Sequence, residues 1–340
     1  SKLSSDEFDE LRNPGPEQSE FEKICEKAFS RRDVFKGGMK FGLAALALSS
    51  GAATLIPKKA KASRLAFDAV QANSLDTITV PRGYSWHTVV SWGDPLWSGV
   101  EEFDHETRGT GASQELAFGD NNDGMQLYQH DGRYILALNN EYSNLKVIHG
   151  NRASKKPENP DDVRKNMAAQ GNTVVELAQR GGRWGIVKDS PYNRRITPNT
   201  PMEITGPAAG HDLLKTSADP SGTLSLGTWN TCANGSTPWG TYLTCEENFN
   251  GYYSSSDQEY PLTAEMKRYG VGHKDRGYGW ATIDDRFDIS KEPNESNRNG
   301  YVVEYDPTDP NFTPKKRTAL GRFKHENAEV VIAANGHAVV

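Results

Sequence analysis

Thr173-Val174-Val175-Glu176-Leu177, followed by Ala178-Gln179-Arg180-Gly181-Gly182 and then Arg183-Trp184-Gly185-Ile186-Val187, is the stretch on which the fold reading turns. Two short runs rich in β-branched and aromatic residues are separated by a Gly-Gly pair, the pattern of two strands joined by a tight turn. Similar runs recur on either side. They are Tyr134-Ile135-Leu136-Ala137-Leu138, Tyr301-Val302-Val303-Glu304-Tyr305 and Glu329-Val330-Val331-Ile332-Ala333, the last turning at Asn335-Gly336 into His337-Ala338-Val339-Val340. Sustained helical periodicity is scarce from Ser63 onward. The 340 residues include 32 Gly, 18 Pro, 13 Tyr and 7 Trp, a balance of turn formers and aromatics that suits an all-β chain. Residues 150–170 and 252–298 are polar and punctuated by Pro and Gly, and read as long loop insertions.

A weak repeat runs through these strands. Gly132, Gly240 and Gly336 each open a short apolar run; the first leads into Asn139-Asn140-Glu141 and the second into Cys245-Glu246-Glu247-Asn248. Strands in a radial array bring such ends to a common centre, so the expected fold is a β-propeller. The third copy stops at Val340 in mid-strand. The chain therefore reads as the front part of a longer protein, with an incomplete propeller.

The first 62 residues read as a leader. Ser30-Arg31-Arg32-Asp33-Val34-Phe35-Lys36 carries an arginine pair, residues 41–56 are apolar, and Ala60-Lys61-Ala62 is a small-residue cleavage site. This order is that of a twin-arginine signal peptide. Its implications are recognition by the twin-arginine translocase, a mature domain over 63–340, and a periplasmic or secreted location. The apolar stretch is too short for a stable membrane span. The route carries folded proteins, often with a cofactor inserted beforehand, so a metal or other cofactor is expected. Net charge is −6, which speaks against nucleic-acid binding.

Three groups of residues could carry chemistry. Thr231-Cys232-Ala233-Asn234-Gly235 is followed by Cys245-Glu246-Glu247-Asn248. Strand alternation puts Glu246 and Glu247 on opposite faces, and whichever enters the protein needs a cation or strong donors. Two carboxylates and a thiolate can hold a cation. The same residues equally fit a strand end with solvated acids and a Cys232–Cys245 disulfide; Cys25 leaves with the leader. His325-Glu326-Asn327 and Asn139-Asn140-Glu141 add ligand-type side chains at strand ends. His211-Asp212 follows the small-residue turn Gly206-Pro207-Ala208-Ala209-Gly210, and Asp120-Asn121-Asn122-Asp123-Gly124 reads as a polar turn without the spaced acids of an EF-hand. Lys155-Lys156 and Arg194-Arg195 read as solvated loop charges. No phosphate loop, G-x-S-x-G elbow or H-E-x-x-H occurs, so serine hydrolase and zincin readings have no support.

Taken together, Pro81-Arg82-Gly83-Tyr84, Asn140-Glu141-Tyr142, the 206–211 turn with His211, the run Asn230 to Thr241, Cys245-Glu246-Glu247-Asn248 and His325-Glu326-Asn327 resemble the PhoX-type alkaline phosphatases, over about residues 65–340. The resemblance implies an exported β-propeller whose iron (Fe3+) and calcium ions act on phosphate monoesters. It implies Cys232 as a thiolate ligand of iron, Glu326 on the same cluster, and Glu141, Glu246 and Glu247 as iron or calcium ligands. The catalytic group would then be an oxide or hydroxide held by the metals and not a side-chain nucleophile. Family members continue well past the length of this chain, and their later blades supply further ligands. Two other functions remain open on the sequence: another metal-dependent propeller hydrolase, a phosphodiesterase or lactonase, and a non-catalytic calcium-binding surface protein.

Overall fold

The computed structural model describes residues 69–340. The leader and its arginine pair lie outside them. The chain divides between Trp86 and His87. Of the N-terminal unit, residues 69–86 carry a turn at Arg82-Gly83, closed by Tyr84 N donating to Pro81 O at 3.1 Å.

The second unit, His87–Val340, is built on two sheets. The first begins with strand β1 (Asn122–His130) and continues through β2 (Arg133–Asn140), β3 (Gly171–Arg180) and β4 (Arg183–Ile186) as an antiparallel meander. Strand β5 (Arg194–Ile196) pairs with the other end of β3. The β3–β4 turn is at Gly181-Gly182, both at positive φ, as the quoted stretch requires. The second sheet has the order β7-β6-β11-β10-β9-β8, where β6 is Pro201–Thr205, β7 Leu224–Leu226, β8 Thr231–Ser236, β9 Tyr242–Glu246, β10 Val302–Tyr305 and β11 Lys315–Arg317. Strands β8 to β11 form a second four-stranded antiparallel meander, and β6 joins β11 in parallel. A last hairpin, β12 (Val331–Ile332) and β13 (Ala338–Val339), turns at Asn335-Gly336.

The three repeated glycines have the same role. Gly132, Gly240 and Gly336 sit at φ of 74°, 94° and 83° in the first turn of each successive unit, where an L side chain would be strained. The described residues are mostly β and form no closed barrel or ring; they contain two sheets, each built on a four-stranded meander, and one separate hairpin.

Strand alternation sets the packing. Ile135, Ala137, Val174 and Ile196 of the first sheet meet Met202, Tyr242, Val303 and Tyr305 of the second in one core. Their sequence neighbours Leu138, Val175 and Leu177 pack the outer face with Leu96 and Phe118.

Residues 150–170 and 252–298 differ from the polar insertions expected. The first contains a helix, α1 (Pro160–Ala168), with Asn159 Oδ1 capping Asp162 N at 2.9 Å and Pro160 in the first turn. The second supplies most of a third core, in which Trp229, Tyr253, Trp280 and Phe287 are essentially unexposed and packed with Phe249 and Met266. The polar average of the segment hid apolar side chains spaced too irregularly to show a period. Arg194 and Arg195 also differ from solvated loop charges. They lie in β5, where Arg195 donates to Ala168 O at 2.6 Å, Gln170 O at 3.0 Å and Asn172 O at 3.1 Å. Burial lowers its pKa to about 10.

Candidate metal centre

The two meanders begin in the same way. Asn121 and Asn230, each just before its first strand, adopt left-handed backbone with φ of 43° and 48°, a conformation asparagine tolerates better than most residues. Each carbonyl then accepts from the residue after the second strand: Glu141 N to Asn121 O at 2.9 Å, and Glu247 N to Asn230 O at 3.0 Å. Each first strand also has an extra residue near its start. The register moves from Asn122↔Asn140 to Met125↔Leu138 in one, and from Thr231↔Glu246 to Asn234↔Thr244 in the other. Such bulges bend the strand and re-aim a side chain. The re-aimed side chains are Asp123 and Cys232.

These devices bring Asp123, Glu141 and Cys232 together, with one ligand atom from each inside a 4.8 Å limit. All three are half-buried, and Cys232 Sγ lies 3.4 Å from Asp123 Oδ2. Glu247 and Glu326 are near enough to act on the group electrostatically. Burial, then Asp123 and Glu247, push the Glu141 carboxyl up to about 7. Burial and the adjoining Asp123 push the Cys232 thiol up to about 12. Burial and Glu326 raise Glu247, against the weaker effect of Lys324. Three ligand-type groups thus meet, with two more carboxylates near enough to be felt and Lys324 as a weaker opposing charge. This donor set, oxygen-rich with one sulfur, fits a hard or borderline cation, which would replace protons on Glu141 and Cys232.

The support beneath is neutral and fully buried. Asn139 donates through Nδ2 to Cys232 O and to Ala233 O, the latter at 3.1 Å. Its Oδ1 accepts from Thr244 Oγ1 at 2.9 Å and from Asn172 Nδ2. The Tyr242 hydroxyl lies 3.0 Å from the same oxygen and 2.8 Å from Gly124 O, so its one proton serves Asn139 and the β1 bulge. On the other side of β8, a Cβ at Gly235 would run into the Ala328 carbonyl, so glycine there lets the 326–329 segment close on the strand. Buried His325 and Ala328 flank exposed Glu326.

Of the residues expected from the sequence, Cys232, Glu141, Glu247 and Glu326 share this locality. Glu246 does not. It is the carboxylate that turns inward, and its cation is Lys316 Nζ at 2.8 Å, with Asn299 Nδ2 at 3.1 Å, Gly300 N at 2.8 Å and Tyr301 N at 3.1 Å completing its shell. Its oxygens are spoken for, so Glu246 is a structural ion pair and not a ligand here. Cys232 and Cys245 are both free thiols; Cys245 is packed with Leu243, Val302 and Val330, away from the disulfide alternative. His211 caps a short turn through Leu213 N at 3.2 Å. Asp123, read as part of a polar turn, is the ligand-type residue that sequence reasoning passed over. The signal lay in the shared pattern of Asn121-Asn122-Asp123 and Asn230-Thr231-Cys232. Among the described residues, no helix is long and apolar enough to cross a membrane.

A family model described as alkaline phosphatase PhoX matches residues 65–340. A solved structure, Pseudomonas fluorescens PhoX in complex with vanadate, a transition state analogue, is similar to this chain at 50% identity and a TM-score of 0.76. The similarity covers 80% of this chain and 47% of that one, so the chain spans about half the length of that relative. No curated protein sequence matches.

Proposed function

This chain belongs to the PhoX alkaline phosphatase family, and from that premise we propose that the full-length protein hydrolyses phosphate monoesters at a metal centre built on Asp123, Glu141, Cys232, Glu247 and Glu326. The observation that carries the reading is the meeting of Asp123, Glu141 and Cys232 with Glu141 held near 7, an arrangement that costs stability unless a cation occupies it. We assign iron to the thiolate and calcium to the all-oxygen positions, following ligand softness. Bound there, such cations supply concentrated positive charge that attracts a phosphate dianion and stabilises charge developing on its oxygens.

The chain's own residues prepare that site. Cys232 and Glu141 release protons as the ions enter, so loading favours higher pH. Asn139, Thr244 and Tyr242 fix the two bulges, and with them the spacing of the donors. Successive meanders that each deliver ligands from a first-strand start and a second-strand end suit blades around an axis, and we extend the fold to a propeller on that ground. Export by the twin-arginine route, giving a periplasmic or secreted protein, is part of the same reading and rests on the leader sequence alone.

The test combines elemental analysis of the purified full-length protein with turnover of monoester, diester and lactone substrates. Iron and calcium together with preferred monoester turnover, abolished by a calcium chelator, is the expected result. Zinc alone, or preferred turnover of the diester or lactone, overturns the proposal.

A further inference from the structure

A cleft of about 980 Å³ opens between residues 156–160, at the start of α1, and the loop 274–283. Val163, Thr282 and Ile283 help to line it, and three cations border it: Lys156, Lys274 and Arg276. Among the described residues, the side chains of these three make no hydrogen bond or ion pair. Two acids line the same cleft, and both are held by their own loops. Glu158 Oε1 accepts from Ser154 N at 2.9 Å and Ser154 Oγ at 2.8 Å, and Asp275 Oδ1 accepts from Gly279 N at 3.1 Å. The helix end adds no anion site of its own, because Asp161 and Asp162 already occupy its first turn.

The loop that carries two of these cations is joined to the metal centre through packed side chains. Tyr278, in the same loop as Lys274 and Arg276, stacks on Tyr252 with ring centroids 4.4 Å apart. The Tyr252 hydroxyl accepts from Asn230 Nδ2 at 3.2 Å, at the residue that starts the second meander. The Glu141 carboxylate acts electrostatically on both phenols. The loop is also pinned: Asn166 Nδ2 donates to Tyr278 O at 3.1 Å, and Trp280 Nε1 donates to Asn166 Oδ1 at 2.6 Å. Positive φ at Gly277 and Gly279, 104° and 74°, shapes the turn that presents the cations.

Resting on the phosphatase reading, we propose that this cleft binds a second anionic group of the substrate while its ester phosphate is at the metal centre, so that the preferred substrates are monoesters carrying a further phosphate. Three cations without a partner among the described residues can each contribute a charge-assisted hydrogen bond to such a group. An exposed cleft of this volume also has room for the carbon skeleton between the two anions.

The full-length, metal-loaded protein is compared with its Lys274→Gln/Arg276→Gln variant, whose exposed replacements leave the buried cores untouched. The two substrates are p-nitrophenyl phosphate, whose leaving group has no second anion, and a hexose bisphosphate. KM for the bisphosphate should rise about tenfold in the variant, with p-nitrophenyl phosphate unchanged, and high salt should erase the difference between the proteins. Equal effects on both substrates, or none on either, overturn the proposal. If the wild type turns over neither ester, the phosphatase reading fails separately. Calorimetric titration with inorganic tripolyphosphate then decides for the cleft: weaker binding in the variant upholds it, and equal or absent binding in both proteins overturns it.

Discussion

Asp123 is the residue whose replacement says most about the centre. It touches Cys232, raises Glu141 and lies in the bulge of β1. Asp123→Asn keeps the shape and removes the charge. Bound cation should fall by about tenfold or more in affinity, measured by elemental analysis after dialysis, and the Glu141 carboxyl should titrate below 7 in the chelated variant. The pH dependence of the metal-free protein follows from Glu141 itself. Its folded value of about 7 exceeds the ordinary 4.5, so the folded chain holds this proton more firmly than the unfolded one. The stabilisation is complete below about pH 4.5 and is lost as pH rises through 7. Chelated protein should therefore melt at lower temperature at pH 8 than at pH 5, by scanning calorimetry, and Glu141→Gln should flatten that dependence. Added cation should restore stability at the higher pH. Cys232, Glu141, Glu247 and Glu326 were legible as ligand types because acids and a thiol at strand ends demand explanation. Asp123 was not, because a bulge changes which residue of a strand faces inward, and a one-residue change of register leaves no trace in composition.

The strands explain why the two adjacent acids at 246 and 247 part company. Alternation sends Glu246 into the protein, where Lys316 and three neutral donors receive it, while Glu247 follows the strand out to the centre. Removing one member of such a buried pair strands the other: Lys316→Met should cost about 3–5 kcal/mol in a urea titration. Glu246→Gln should likewise lose stability, yet keep the cation content of the protein that remains folded. A fall in bound metal matching the Asp123→Asn variant would return Glu246 to the ligand set. Gly235 offers the converse test. Its backbone can accept alanine, but the Ala328 carbonyl has to move, and Glu326 moves with it. Gly235→Ala should weaken metal binding about tenfold, read by competition with a chelator, with a smaller change in Tm than Lys316→Met. The hairpins were readable from Gly181-Gly182 and Asn335-Gly336, whose turn chemistry is local. The Lys316 partnership was not, because seventy residues separate its members and nothing local links them.

At the scale of the whole molecule, the surprise is the stretch 252–298, which reads as loop and packs as core. Phe287 meets Trp229 at 5.1 Å and Trp280 at 4.8 Å between centroids. Phe287→Ala should cost about 3–5 kcal/mol, measured by chemical denaturation. The mostly-β character was recoverable because the longer strands announce themselves as apolar, β-branched runs; this aromatic cluster was not, because its members come from turns without a period. The cation site has a different dependence on the chain. Asp123 and Cys232 stand 109 residues apart, and neither meander owns a complete set of donors. A growing polypeptide that has finished only its first four strands has nowhere to put an ion. Capture has to wait until the second sheet has formed and docked, late in a folding process already slowed by distant pairings. A bound ion would thus certify that the two sheets have met: a molecule that carries it has, by that fact, passed a structural inspection of this junction.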